Sequence, residues 1–134
     1  MSGPHVLFLC VHNAGRSQMA AAWLEHLSAG TAVALSGGSE PASDVNPRAI
    51  EVMAEVGIDI SHATPKPWSE TDLDEADVVV TMGCGDSCPF VPGKRYEDWA
   101  VEDPAGEPIE HVRAIRDDIR RRVEALLLGL ATAG

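Results

Sequence analysis

Basic residues are scarce in this chain of 134 residues, and long apolar runs are missing. There are 10 Lys and Arg residues against 21 Asp and Glu, which leaves a formal net charge of −11. Nucleic acids and anionic membrane surfaces require a basic footprint, so we expect neither as a partner. No stretch reaches the roughly 20 apolar residues that span a bilayer. The first residues, Met1 to His5, lack the basic and apolar segments of a secretory signal, which predicts a cytoplasmic protein.

Cysteine is also rare, since Cys10, Cys84 and Cys88 are the only three. An odd number of cysteines without a signal peptide argues against a disulfide framework, and a structural zinc site needs four ligands. We therefore predict no metal site and no cofactor. Thiols in a reducing compartment more often serve redox or nucleophilic chemistry.

Strand-like and helical segments alternate along the chain. Strands are predicted at 5–9, 32–36, 77–82 and 95–99, and helices at 16–28, 46–56, 70–75 and 108–128. Gly37 and Gly38 are interpreted as a turn after the second strand. This alternation predicts an α/β fold, in which helices flank a four-stranded parallel sheet on both faces. No linker or internal repeat interrupts the pattern, so we expect one domain over residues 1–134.

The most informative segment begins where the first predicted strand ends. Cys10 is followed by five residues and then by Arg16 and Ser17, which open the first predicted helix. Such a loop can wrap one tetrahedral anion with backbone N–H groups, while the helix N-terminus adds partial positive charge. Arg16 can close the ring with a bidentate pair, and the same field favours the nucleophilic thiolate of Cys10. The alternative is a cysteine that only packs. We predict an oxyanion site formed by Val11, His12, Asn13, Ala14, Gly15, Arg16 and Ser17.

The two other thiols follow the third predicted strand, at the carboxyl edge of the sheet where Cys10 also lies. If the first and third strands are neighbours, Cys84 can reach the Cys10 sulfur. Cys84 and Cys88 are four residues apart, a spacing that permits a disulfide in a turn. The alternative is that both are incidental loop cysteines.

A carboxylate follows the fourth predicted strand at the same edge. Asp103 is placed to give a proton to an oxygen that leaves a tetrahedral centre. Glu102 is a rival for this role, and Asp-Pro pairs are also common in plain turns.

With these residues assembled, the chain resembles the arsenate reductases built on the low-molecular-weight protein tyrosine phosphatase fold. The resemblance covers nearly the whole chain. The loop from Cys10 to Ser17 is shared with the phosphatases, whereas the Arg-Ser-Gln-Met-Ala run and the paired cysteines after the third strand point to the reductases. It rests on Cys10-x5-Arg16-Ser17-Gln18-Met19-Ala20, Val79-Val80-Thr81-Met82, Cys88-Pro89, Trp99 and Asp103-Pro104-Ala105-Gly106.

The resemblance implies a mechanism with six catalytic residues. Cys10 attacks arsenate held by the loop amides and Arg16, Ser17 steadies the thiolate, and Asp103 protonates the departing oxygen. Asn13 holds the loop. A second thiol, Cys84, then attacks the Cys10 sulfur and releases arsenite. Cys88 next attacks Cys84, so that the Cys84–Cys88 pair is left oxidised.

The resemblance leaves the electron donor open between thioredoxin and a low-molecular-weight thiol with a glutaredoxin-like partner. It also implies that phosphate and sulfate compete with arsenate. Many relatives carry a second cysteine where this chain has Gly15, so no disulfide can form inside this loop. Some relatives bind potassium through a carboxylate where this chain has Ala20-Ala21-Ala22, so we predict no such site.

Two other functions compete with arsenate reduction. A phosphatase acting on phosphotyrosine or a small phosphomonoester would use Cys10, Arg16 and Asp103 in the same way. It has no need of Cys84 or Cys88, and the single Tyr and two Phe residues offer few aromatic walls for a phosphotyrosine. A non-catalytic anion sensor would bind the oxyanion without turnover.

Overall fold

The computed structural model describes residues 3–83, 89 and 92–133, which form four strands and four helices. The order agrees with the alternation predicted from the sequence. In chain order the elements are β1 (His5–Cys10), α1 (Arg16–Ser28), β2 (Val33–Gly38), α2 (Pro47–Ala54), α3 (Glu70–Glu75), β3 (Val78–Thr81), β4 (Arg95–Asp98) and α4 (Ile109–Ala133).

The strands form one parallel sheet in the order β2-β1-β3-β4. β1 lies in the middle, with Leu7 opposite Leu35 on one side and Val79 on the other. The α/β fold with a parallel four-stranded sheet is therefore confirmed. β1 and β3 are neighbours, so the residues that follow them leave the same edge of the sheet side by side.

Helices cover both faces of the sheet, and each face buries its own side of β1. Val6, Phe8 and Cys10 belong to the larger apolar cluster, with Trp23 of α1 and Ile119 of α4 among its members. Leu7 and Leu9 point to the opposite face and pack with a smaller cluster that includes Leu73 of α3. Because successive strand residues face opposite sides, the Cys10 side chain lies on the face that α1 covers.

Side-chain caps set the starts of two helices where the sequence places them. Asn46 accepts a hydrogen bond from the Arg48 amide, and Pro47 occupies the first turn of α2. Ser69 accepts from the Asp72 amide at the start of α3. None of the helices within the described residues is long and apolar enough to cross a membrane.

The second strand extends further than the sequence predicts. Gly37 and Gly38 lie inside β2, where Gly38 is paired with Cys10, so the predicted turn at these residues is wrong. They are glycines because other backbone passes very close. A Cβ at Gly37 would be 2.6 Å from Trp68 Cα, and one at Gly38 would be 2.7 Å from the Val11 carbonyl oxygen. The 66–68 segment is thereby packed against the loop that follows Cys10.

Candidate active site

The Cys10 sulfur lies at the junction of β1 and the loop that leads into α1. The residue is 2% exposed. Its Sγ is 2.9 Å from Ser17 Oγ, and the Asn13 backbone N–H donates to it over 3.3 Å. Hydrogen-bond donors aimed at a sulfur favour its negatively charged form, and that form is the one that attacks electrophiles.

The direction of the Ser17 hydrogen bond follows from its second partner. Asn13 Nδ2 donates to Ser17 Oγ over 2.7 Å, so this oxygen acts as an acceptor there. A hydroxyl has only one hydrogen to donate, and here it remains available for Cys10. When Cys10 is the thiolate, which has no hydrogen to donate, Ser17 therefore donates to its sulfur.

The loop presents several backbone N–H groups for which the described part of the chain offers no acceptor. Among the described residues, none accepts from the amides of His12, Ala14, Gly15, Arg16 or Ser17. The helix-capping position is Gly15, which has no side-chain cap, so the first-turn amides of α1 remain available. Free amides at a helix N-terminus favour a negatively charged ligand.

Arg16 is buried beside these amides, with 8% of the residue exposed. Its Nη1 donates to the Val101 carbonyl oxygen over 3.4 Å, and its Nη2 lies 3.7 Å from Asp103 Oδ2. These contacts tie the loop after Cys10 to the segment that follows β4, so both segments face the same space.

That space is a small cavity of about 40 Å³. Cys10, His12, Arg16, Asp103 and Pro104 are among the residues that line it. The cavity thus brings together the predicted nucleophile, the predicted cation and the predicted acid. Val11, Asn13 and Ser17 do not line it; Asn13 and Ser17 lie buried behind the sulfur.

The structure separates the two carboxylates that compete for the role of acid. Asp103 Oδ1 accepts from the Ala105 amide over 3.0 Å, and its side chain is 47% exposed at the cavity. Glu102 instead lies 2.7 Å from His111 Nε2, and the other ring nitrogen of His111 contacts Glu107. Only Asp103 of the two faces the Cys10 site, while Glu102 contacts His111 at the start of α4.

Cys84 and Cys88 lie outside the described residues, so their predicted approach to Cys10 stays a prediction. The chain leading to them runs past the site. Met82 N donates to the Leu9 carbonyl oxygen over 2.8 Å, and Gly83 lies against the Arg16 guanidinium.

Three residues of this site were not assigned from the sequence. Gln18 and the Lys66 backbone contact Asn13, and Gly83 makes room for Arg16. The Lys66 contact spans 53 residues, so no local pattern could reveal it. Gly83 was noticeable as a glycine at a strand end, but only the fold shows what it approaches.

The chain is similar to known proteins along nearly its whole length. The chain matches the family described as low molecular weight phosphotyrosine protein phosphatase over residues 5–133. A Synechocystis protein named glutaredoxin arsenate reductase is 42% identical over 125 residues, which cover 91% of this chain and 95% of that protein.

Solved structures extend the comparison. A thioredoxin-dependent arsenate reductase from Corynebacterium glutamicum has a TM-score of 0.86 and 41% identity. The match covers 99% of this chain but 64% of that one, so this chain spans a little under two thirds of its length. An arginine phosphatase from Geobacillus stearothermophilus has a TM-score of 0.83 and 28% identity, with 97% of this chain and 94% of that one covered.

Proposed function

This chain belongs to the low molecular weight phosphotyrosine protein phosphatase family, and we propose that it acts as an arsenate reductase, converting arsenate to arsenite with electrons from thiols. The observation that carries the proposal is the Cys10 sulfur, which receives two hydrogen bonds and lines one cavity with Arg16 and Asp103. Two relatives reported above, from Synechocystis and Corynebacterium, are named arsenate reductases and support the choice of substrate.

The first step forms a bond between sulfur and arsenic. Arg16 and the free backbone amides of the loop, those of His12 and residues 14–17, hold the oxyanion, and the Cys10 thiolate attacks the arsenic atom. Asp103 protonates the departing oxygen, which leaves as water. The product is a Cys10 thioester of arsenate, in which arsenic is still pentavalent.

The second step reduces the arsenic. The Cys84 thiolate attacks the Cys10 sulfur, a sulfur–sulfur bond forms, and the electron pair of the sulfur–arsenic bond stays on arsenic. Trivalent arsenite leaves. Cys88 then attacks Cys84 in an ordinary thiol–disulfide exchange, which frees Cys10 and leaves the Cys84–Cys88 disulfide.

An external thiol must reduce that disulfide. The Corynebacterium relative is named thioredoxin-dependent and the Synechocystis relative carries glutaredoxin in its name, so both donor classes remain candidates for this chain. Three reduced thiols are needed at the start of each cycle, which suits a reducing compartment such as the cytoplasm. We place the whole relay in one domain, residues 1–134.

The rival proposal is a phosphatase that uses the same cavity. Phosphate and arsenate share charge and tetrahedral shape, and the arginine phosphatase from Geobacillus has a similar fold. A phosphatase would hydrolyse the Cys10 intermediate with water and would leave Cys84 and Cys88 unused.

A single-turnover experiment separates the two. The reduced protein is mixed with arsenate without any donor, arsenite is measured, and the new disulfide is mapped by mass spectrometry. We expect about one equivalent of arsenite and a Cys84–Cys88 bridge. Cys10→Ser is expected to give none, and Cys84→Ser is expected to stop at the Cys10 adduct.

Two outcomes would contradict the proposal. One is the absence of arsenite together with hydrolysis of p-nitrophenyl phosphate that persists in the Cys84→Ser/Cys88→Ser double variant. The other is arsenate binding without turnover that persists in Cys10→Ser, which is the behaviour of an anion sensor.

A further inference from the structure

We propose that Gln18 is a positioning residue that keeps the Cys10 sulfur in its nucleophilic state by fixing the conformation of Asn13. Gln18 lies in the first turn of α1 and is 8% exposed. Its Nε2 donates to the Asn13 carbonyl oxygen over 3.1 Å and to Asn13 Oδ1 over 3.2 Å. Gln18 is not among the residues that line the cavity, and none of the hydrogen bonds between described residues joins it to the sulfur, so we expect its effect on Cys10 to pass through Asn13.

Asn13 is held in a conformation that it would not keep unaided. Its φ is +50°, in the left-handed region, and the residue is 0% exposed. Left-handed backbone is unfavourable for residues with a Cβ, although asparagine tolerates it better than most. Besides Gln18, the Lys66 amide donates to Asn13 Oδ1 over 3.0 Å. Gln18 therefore supplies two of the three hydrogen bonds that the described residues donate to the oxygens of Asn13.

The orientation of the Asn13 amide decides where the Ser17 proton goes. With Oδ1 facing Gln18 and Lys66, Nδ2 must face Ser17, to which it donates over 2.7 Å. Ser17 then keeps its own proton for the Cys10 sulfur at 2.9 Å. A rotated Asn13 amide would present Oδ1 to Ser17, accept that proton, and leave the thiolate without it. Gln18 thus controls the thiolate from two residues away in the network.

The test measures the reactivity of the Cys10 thiol and consumes no arsenate, so it stands apart from the proposed reduction. The full chain carries Cys84→Ser and Cys88→Ser, and iodoacetamide alkylation of Cys10 is followed from about pH 5 to pH 10. Gln18→Met keeps most of the side-chain volume and removes the donor. We expect alkylation to slow roughly 10-fold near pH 6, as for the loss of one hydrogen bond to a charged group. Near pH 10, above the range in which thiols ordinarily ionise, the rates are expected to agree within about twofold.

Two further variants make the result decisive. Ser28→Ala removes another buried hydrogen-bonding side chain from the same helix, remote from Cys10, and is expected to leave the pH profile unchanged. Gln18→Leu repeats the test with a different apolar side chain, and thermal unfolding verifies that each variant is folded. The proposal is overturned if folded Gln18 variants give the parent profile, or if their rates fall equally at every pH, since that would indicate general damage to the loop.

Discussion

Gly83 gives the sharpest test of how the fold places Arg16. Its φ is +83°, which L-residues rarely adopt, and a Cβ built on it would lie 2.4 Å from Arg16 Nη1. Gly83→Ala therefore has two separate effects. It strains the backbone at residue 83, and it pushes the guanidinium away from the oxyanion site.

The backbone effect is modest and sets the expected loss of stability. A residue with a Cβ in the left-handed region costs about 1–2 kcal/mol. The contact with Arg16 adds little to this, because Nη1 is the far end of a flexible side chain. We expect the free energy of unfolding to fall by about 1–2 kcal/mol, which lowers Tm by a few degrees.

The effect on activity is larger. An ordinary van der Waals contact begins at 3.4 Å, so from 2.4 Å the guanidinium must retreat by about 1 Å. That displacement weakens charge-assisted hydrogen bonds that Arg16 would make to the substrate, each worth about 1.5–3 kcal/mol. We expect kcat/KM for arsenate to fall roughly 10- to 100-fold, measured as arsenite formed with a saturating thiol donor.

Gly57→Ala is the matched control. Gly57 has a φ of +82°, but a Cβ there would meet nothing within 4 Å. Both variants are expected to lose similar stability, and only Gly83→Ala is expected to lose activity. The reasoning would be refuted if Gly83→Ala kept kcat/KM within about twofold of the parent, or if Gly57→Ala lost as much.

Three further predictions follow from the described contacts. Asp103→Asn removes the proposed acid, so kcat is expected to fall about 10²- to 10⁴-fold with a smaller change in KM, and an unchanged kcat would reject the role. Gly15→Ala places a Cβ 2.6 Å from Pro104 Cγ and is expected to displace the segment that carries the acid, lowering kcat/KM at least about 10-fold. Hydrogen bonds from Arg113 hold the pKa of Glu55 below its ordinary value of 4.5. Such a group stabilises the fold above its unfolded pKa, so Glu55→Gln is expected to lower Tm at pH 7, and the difference is expected to shrink below pH 4.5 and to vanish as the pH falls through the lowered pKa of the folded state.

Most of the fold could be predicted because its determinants are local. Asn46-Pro47 and Ser69 mark helix starts through contacts with residues two or three positions away, and the structure contains both caps. The turn predicted at Gly37-Gly38 failed for the opposite reason. Gly37 leaves room for the Trp68 backbone, and Gly38 leaves room for the Val11 carbonyl in the loop after β1. Both neighbours are distant in sequence from the glycines.

The residues of the site can likewise be divided into those positioned by local contacts and those positioned by contacts distant in sequence. Cys10, Arg16 and Ser17 could be predicted because one loop and one helix start bring them together. The support behind them could not, since Lys66 reaches Asn13 across 53 residues and Arg16 reaches Val101 across 85. Asp103 is an intermediate case. The sequence predicted that it lies at the carboxyl edge of the sheet. The contact between Glu102 and His111, which only the structure shows, turns Glu102 away and leaves Asp103 facing the cavity.

The contact between Asp103 and Arg16 links binding of the oxyanion to the proposed acid step. Its carboxylate lies 3.7 Å from the buried Arg16 and is 47% exposed, a pairing that solvent weakens. An arsenate dianion that enters the same cavity of about 40 Å³ repels this carboxylate and competes with it for Arg16. A proton on Asp103 removes the repulsion, and the departing oxygen needs that same proton. Binding of the oxyanion and the availability of the Asp103 proton are therefore coupled in the proposed reaction. The Asp103 carboxylate offsets the positive charge of Arg16 only until the substrate takes its place.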